Sequence, residues 1–350
     1  MMKILLVDVD SKVPNIALCK LSSYHKSCGD DVELIKLKYK GYPSRTKETI
    51  VDAKGYEKVY VSTIFTHNKD SAKVINCPDV AQGGSGYDLN TNLPDYIEVY
   101  PLDYSIYKDN DISYGFMTRG CVRNCEYCFV PKKEGALKFD KTVDEIYNPS
   151  HKMICFLDNN ILAYKDHKKI LKDLGDRRIR CQFAQGLDIR LLDEENLLLL
   201  QKLNYVGEYT FAFDFMSIEK IISEKLDMIK RFGFKKRLRF YVFVSPRYTS
   251  IADDVYRIDW LRSRGILPYV MRENTCWGSE HEKFYTDLAA WCNTPLAFKK
   301  ISFKDFLFNP KYPKLARSQD KDRLYNSLNL YLQGKKIETK WPGDMAFINS

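Results

Sequence analysis

Within Thr118–Gly135, TRGCVRNCEYCFVPKKEG, three cysteines fall at positions 121, 125 and 128, and no fourth follows nearby. Thiolate sulfur is a soft ligand, suited to zinc, Cu(I) and iron–sulfur clusters. A structural zinc site closes with four ligands, usually in paired cysteine spacings. Here the order is C-x3-C-x2-C and then stops. His151 and Cys155 stand further on, but Cys155 belongs to an apolar strand segment and should point into a core. Three thiolates can hold a 4Fe–4S cube by three corners and leave the fourth iron open to a small molecule.

Taken with Tyr127, the order Cys121, Cys125, Tyr127, Cys128 resembles the C-x3-C-x-aromatic-C signature of the radical S-adenosylmethionine (radical SAM) enzymes. The flanking TRGC (118–121) and CFVPKKEG (128–135) are similar to the branch with an N-terminal cobalamin-binding-like domain, where Arg-Gly-Cys and a downstream Gly are common. The resemblance implies one 4Fe–4S cluster on Cys121, Cys125 and Cys128, with SAM chelating the open iron through its amino and carboxylate groups. It implies reductive cleavage of SAM to methionine and a 5′-deoxyadenosyl radical, which takes a hydrogen atom from a substrate. It also implies an electron donor of the flavodoxin or ferredoxin type. No second cluster motif occurs, which disfavours methylthiolation. Methyl transfer and modification of a nucleobase or peptide stay open.

The resemblance places SAM at the ends of strands. Tyr127 is expected beside it. Asp158, Asn159 and Asn160 end the strand segment 152–160, where relatives place a turn that receives the SAM amino group. The Gly-Gly-Glu form of that turn is absent, and the same residues suit an Asx turn or helix cap. Gln185, Asp188 and Arg190 follow the next strand. Arg190 can offer a carboxylate the bidentate pairing it favours, although an exposed loop fits the same residues. Asp214 stands among aromatics in YTFAFDF, where a buried carboxylate needs a partner. It suits the SAM ribose, a substrate, or an N-cap. Val244 is an expected apolar contact to adenine, with Ser245 and Arg247 as weaker candidates. Arg272, Glu273 and Asn274 are expected on one face, toward substrate.

These groups require a scaffold of alternating strands and helices. Strand segments are expected at 3–10, 31–37, 57–65 and 79–88, with helices at 15–30 and 70–77. That order predicts an N-terminal flavodoxin-like, doubly wound α/β domain over 1–100. Residues 89–112, rich in Asp, Asn and Pro, read as a linker. Strands are then expected at 113–118, 152–160, 179–188, 209–215, 238–246 and 266–274, with helices at 193–203, 217–233 and 253–265 between them. About six β-α units predict a partial (β/α)6 barrel over 101–282, with ligands at the strand C-termini. Residues 283–350 are expected to form a mostly helical extension.

The N-terminal domain raises cobalamin, whose family motif is Asp-x-His-x-x-Gly after the first strand. The stretch there is DVDSKVPN (8–15), with no His at that spacing, and His25 lies inside the expected helix. Cobalamin is therefore disfavoured, and the domain reads as degenerate. The GGSG loop (83–86) suits a phosphate or a plain turn. Cys19 and Cys28 lie on or near the first expected helix, Cys77, Cys155 and Cys181 read as small core residues, and Cys276, His281 and Cys292 are spaced too irregularly to favour a second metal site.

The net charge of +9 includes basic runs at 230–240 and 298–317. Interspersed acids make a solvated surface the plainer reading, but the balance leans toward a nucleotide or nucleic-acid substrate. No run of about 18 apolar residues suggests a membrane span, and the opening MMKILLVDVD reads as a strand. A cytoplasmic setting with reduced thiols is expected. The competing class is a non-catalytic iron–sulfur or zinc protein that binds nucleic acid through a basic surface.

Overall fold

In the computed structural model, which describes residues 1–37, 48–308, 329–330 and 340–346, contacts divide the chain into two units. The first holds Met1–Asn124 and Cys128–Phe156, and the second holds Cys125–Tyr127 and Leu157–Ser350. The architecture is α/β with several parallel sheets.

The first unit begins with β1 (Lys3–Asp8), α1 (Ile16–Ser27), β2 (Asp31–Lys36), β3 (Thr49–Asp52), β4 (Lys58–Ser62), β5 (Ala72–Ile75) and β6 (Val80–Gly83). It continues through α2 (Asp95–Glu98), β7 (Ile112–Gly115), β8 (Thr118–Arg119), α3 (Val130–Lys133), β9 (Lys138–Phe139), α4 (Val143–Ile146) and β10 (Met153–Phe156). A parallel sheet runs β2-β1-β4-β6. The middle of β1, Ile4–Val7, is apolar because both faces are covered. Ile4 and Leu6 pack on Leu18 and Leu21 of α1, and Leu5 and Val7 pack with Val51, Val59 and Val61.

The helix expected at 70–77 is instead β5, which pairs in parallel with β3. Ala72 and Val74 turn toward the core while Lys73 and Ile75 turn outward. That period of two, with two β-branched residues in four, suits a strand better than a helical face. Residues 89–112 are packed: Ile97 joins the α1 core, and the Tyr107 hydroxyl donates to Asp8 at 2.9 Å.

The second unit contains α5 (His167–Asp176), β11 (Arg180–Phe183), α6 (Glu194–Lys202), β12 (Asn204–Tyr205), β13 (Tyr209–Ala212), α7 (Glu219–Phe232) and β14 (Leu238–Val244). It ends with α8 (Ile251–Arg262), β15 (Leu267–Arg272), α9 (Glu282–Cys292), α10 (Pro295–Lys300) and α11 (Phe303–Phe308). Strands β13, β14 and β15 form a parallel sheet in that order. Phe240, Val242 and Val244 alternate along β14 and are fully buried, with α8 packed on the same strand. Beyond α9, Trp341 meets Phe298 edge-on, and the Met345 amide donates to the Gly265 carbonyl at 2.7 Å. The part of the 298–317 basic run from residue 309 onward lies outside the described residues. Among the described residues, no helix is long and apolar enough to cross a membrane.

One residue ties α1 to the first sheet. Asn15 caps α1 by accepting from the Leu18 amide at 3.2 Å, and its amide donates to Ser62 at 2.8 Å and Ser11 at 3.0 Å. Asn15→Ala should cost about 1–2 kcal/mol, the range of a lost cap. Urea unfolding should show this as a lower midpoint with an unchanged slope, and Asn15→Ser should recover part of it.

Candidate functional site

In the first unit, the chain carrying Cys121 and Cys128 is closed at its base. β8 pairs antiparallel with β9, setting Thr118 opposite Phe139 and Arg119 opposite Lys138. Arg119 reaches Asp140 at 3.1 Å and Glu134 at 3.5 Å. The Gly120 amide donates to Glu134 at 2.9 Å, and the Cys121 amide to the Gly135 carbonyl at 3.4 Å. Gly120 has φ +80, and a Cβ there would lie 2.4 Å from the Ala136 carbonyl oxygen. The Arg-Gly before Cys121 thus has a local cause: one residue supplies the ion pairs and the next allows the chain to cross itself. Cys121 and Cys128 are both half-buried.

In the second unit, Cys125 and Tyr127 meet the ends of β13 and β14. The Tyr127 hydroxyl donates to Asp214 at 2.6 Å, and its ring stacks on Phe243 at 4.1 Å between centroids and 26°. Phe215 at 5.6 Å and Tyr248 at 6.4 Å complete an aromatic wall. Burial pushes the Asp214 carboxyl above its usual range, opposed by the Tyr127 hydroxyl and by Arg257, the Phe243 backbone and Arg190. Burial also pushes the Tyr127 phenol up, and Asp214 and then Cys125 add to the shift. Cys125 is half-buried in the same neighbourhood.

The remaining expected contacts fall in this unit, in its opening loop or at or after the ends of its strands. Asp158 and Asn160 are buried, and the Asn160 amide donates to Asp188 at 3.3 Å. Asn159 is half-buried, and Gln185 is exposed. Asp188 caps the turn after β11 through the Arg190 amide and grips the Arg190 guanidinium at 2.6 and 3.0 Å. The bidentate pairing expected for a ligand carboxylate is therefore made within the chain. Val244 is fully buried among the core residues of β14, and its neighbour Phe243 supplies the ring against Tyr127. Ser245 is buried, with its hydroxyl donating to Glu273 at 3.2 Å and accepting from the Arg247 amide at 3.1 Å. Arg272 turns to Thr286 and the Trp277 ring, away from the Glu273 cluster, and Asn274 opens a short 3-10 turn.

Sequence patterns alone did not single out Phe243, Phe215, Tyr248 or Arg257. A period-two reading of β14 would have separated Phe243 from Val244. Arg257 is an arginine in an otherwise apolar helix position, three residues after Asp254, and that spacing was its available signal.

Of the other thiols, Cys28 is exposed and Cys77 half-buried, while burial acts on the remaining five. Burial pushes Cys155 up to about 11, Cys181 and Cys276 to about 12, and Cys19 and Cys292 well above the usual thiol range. Among the described residues, no group of three or more His, Cys, Asp or Glu is gathered to hold a metal ion.

Polar groups at the strand ends of the first unit are engaged within the chain. Asp10 accepts from the Ile64 and Phe65 amides at 2.7 and 3.0 Å and from Asn68 at 3.0 Å. Gly84 and Gly86 let the GGSG loop approach protein backbone: a Cβ would lie 2.3 Å from Thr63 O and 2.5 Å from Phe65 C, respectively. His25 is bound between Asp30 and Tyr60.

No protein-family model matches the sequence, and no curated protein matches it. Among solved structures, the chain resembles Streptococcus suis SuiB, solved with the precursor peptide SuiA, at TM-score 0.35 and 13% identity. The match covers 47% of this chain and 39% of that one, so the chain spans about two-fifths of that structure's length.

Two substitutions test the geometry. Gly120→Ala should cost about 2–3 kcal/mol from strain at a left-handed position. It should also expose the 121–134 segment to limited proteolysis, with fragment masses locating the cut. Tyr127→Phe keeps the ring stack but strips the donor from Asp214, at a cost of about 1–3 kcal/mol. Adding Asp214→Asn should recover part of that loss in a urea-unfolding double-mutant cycle.

Proposed function

We propose that the chain is a radical SAM enzyme that holds one 4Fe–4S cluster on Cys121, Cys125 and Cys128. The observation that carries the reading is the C-x3-C-x-Tyr-C order together with the setting of Cys125 and Tyr127 beside Asp214 and Phe243. The donor set fits such a cluster in kind: three half-buried thiols lie on one short stretch, whereas Cys19, Cys181, Cys276 and Cys292 are sealed in cores.

When bound and reduced by one electron, the cluster would supply that electron to SAM's sulfonium, yielding methionine and a 5′-deoxyadenosyl radical that takes a substrate hydrogen. The chain's own groups have simpler tasks. Tyr127, Phe243, Phe215 and Tyr248 offer flat apolar surface for adenine and exclude water. Asp214 offers an acceptor for ribose hydroxyls. Asp158, Asn159 and Asn160 offer polar groups for the amino end of SAM. Asp188 takes Nε and one terminal nitrogen of Arg190, so a SAM carboxylate would meet only the other terminal nitrogen, through a single charge-assisted bond. A flavodoxin- or ferredoxin-type donor, a cytoplasmic setting and a nucleotide or nucleic-acid substrate belong to the same proposal.

Anaerobically reconstituted protein with dithionite should convert SAM to methionine and 5′-deoxyadenosine, followed by chromatography. Cys125→Ala should lose the brown iron–sulfur absorbance and all cleavage. A wild-type protein that binds iron and sulfide stoichiometrically but leaves SAM intact would sink the enzyme reading in favour of a non-catalytic metal protein.

A further inference from the structure

We infer that Arg257 is the positioning residue of this site: its guanidinium locks the C-terminal ends of β13 and β14 together, and so places both Asp214 and the Phe243 ring. Its link to function rests on the reading of the site as a SAM pocket; its geometric part does not.

Arg257 lies on α8 and is fully buried. One terminal nitrogen donates to the Phe213 carbonyl. The other donates to the Phe243 carbonyl at 2.8 Å and to Asp254 at 2.5 Å, while Nε reaches the Asp253 carbonyl at 3.3 Å. Asp254 is itself fully buried, one turn away on the same helix, and neutralises the charge. A buried guanidinium is tolerable when its protons are engaged and its charge is paired, and here Asp254 pairs the charge while four hydrogen bonds engage the fork.

The two carbonyls sit where the regular ladder runs out. The Phe213 amide still donates to the Tyr241 carbonyl at 2.8 Å, one residue past the end of β13. Beyond that point, buried carbonyls need donors from elsewhere. Arg257 supplies them at the two residues that matter to the site. Phe213 immediately precedes Asp214, and Phe243 carries the ring on which Tyr127 stacks. The carboxylate and the aromatic wall are therefore set by one planar side chain from behind the sheet. Lysine would keep the charge and lose the fork that reaches two carbonyls and a carboxylate together.

The test uses the full chain, anaerobically reconstituted, as wild type, Arg257→Lys and Arg257→Gln. Iron and sulfide per chain, SAM affinity by equilibrium dialysis, and amide hydrogen exchange are measured on each. In a folded Arg257→Lys protein, cluster content should match wild type while SAM binds about tenfold or more weakly, the order expected from misplaced binding groups. Amides at 213–215 and 243–245 should exchange faster, and those of α6 should not change. A folded Lys or Gln variant with wild-type SAM affinity and wild-type exchange at those amides would overturn the proposal. If wild type itself fails to bind SAM, the functional reading falls, and the exchange data alone decide the positioning. If neither variant folds, wild-type exchange decides: 213–215 and 243–245 should open only together with 251–262, and independent opening would refute the clamp.

Discussion

The arrangement around Cys125 depends on a hydrogen bond between two groups that resist burial. A phenol and a carboxylate, Tyr127 and Asp214, meet at 2.6 Å. Desolvation makes ionisation of either group costly, so each is secured by the other and by what surrounds the pair. The bond also fixes a stretch of three residues that would otherwise be short, polar and unsupported. Cys125 is held because Tyr127, two residues later, has both a stacking partner and an acceptor. A soft ligand is positioned beside a neighbour that is itself fixed by a hydrogen bond and a ring stack.

Asp214 is shaped in turn by cations on two sides. Arg190 and Arg257 both oppose the upward push of burial on its carboxyl. Neither cation is free to neutralise it outright, because each already has a nearer carboxylate: Asp188 for Arg190 and Asp254 for Arg257. Asp214 therefore keeps accepting capacity while standing in a cationic field. That combination suits a group that must meet a polar ligand, since a carboxylate fully paired within the chain would have little left to offer.

Much of this was legible in the sequence where chemistry is written in residue type. The cysteine spacing, the aromatic at 127, the isolated Asp214 among aromatics and the polar turn at 185–190 all stand out as residues with no place in an ordinary apolar strand or helix. Alternation of strands and helices was legible for similar reasons, because period and turn residues are local. What was not legible depends on neighbours distant in sequence. Phe243 and Val244 are both apolar and adjacent, and only the sheet decides which faces Tyr127. β5 spans only four residues, and its pairing with β3 is a tertiary fact. The partners of Arg190 and Arg257 belong to the same class: sequence shows a cation, and packing shows which oxygen it has already taken.

The two glycine-containing loops show the same limit from another side. Gly120 and Gly84 both adopt left-handed backbone, and in each case the missing side chain makes room for a carbonyl of the protein itself. A glycine loop at a strand end is consistent with a ligand or with another loop, and residue type cannot separate the two. What separates them is the surrounding polar inventory. Around Gly84 and Gly86, Asp10 has already spent its oxygens on Ile64, Phe65 and Asn68, so the crevice is closed by its own hydrogen bonds. Beyond Gly120 the chain continues into the half-buried thiols of Cys121, Cys125 and Cys128. The same backbone device thus closes a loop in one place and leads into a cysteine-bearing stretch in the other, and the difference lies in the residue types that follow the glycine.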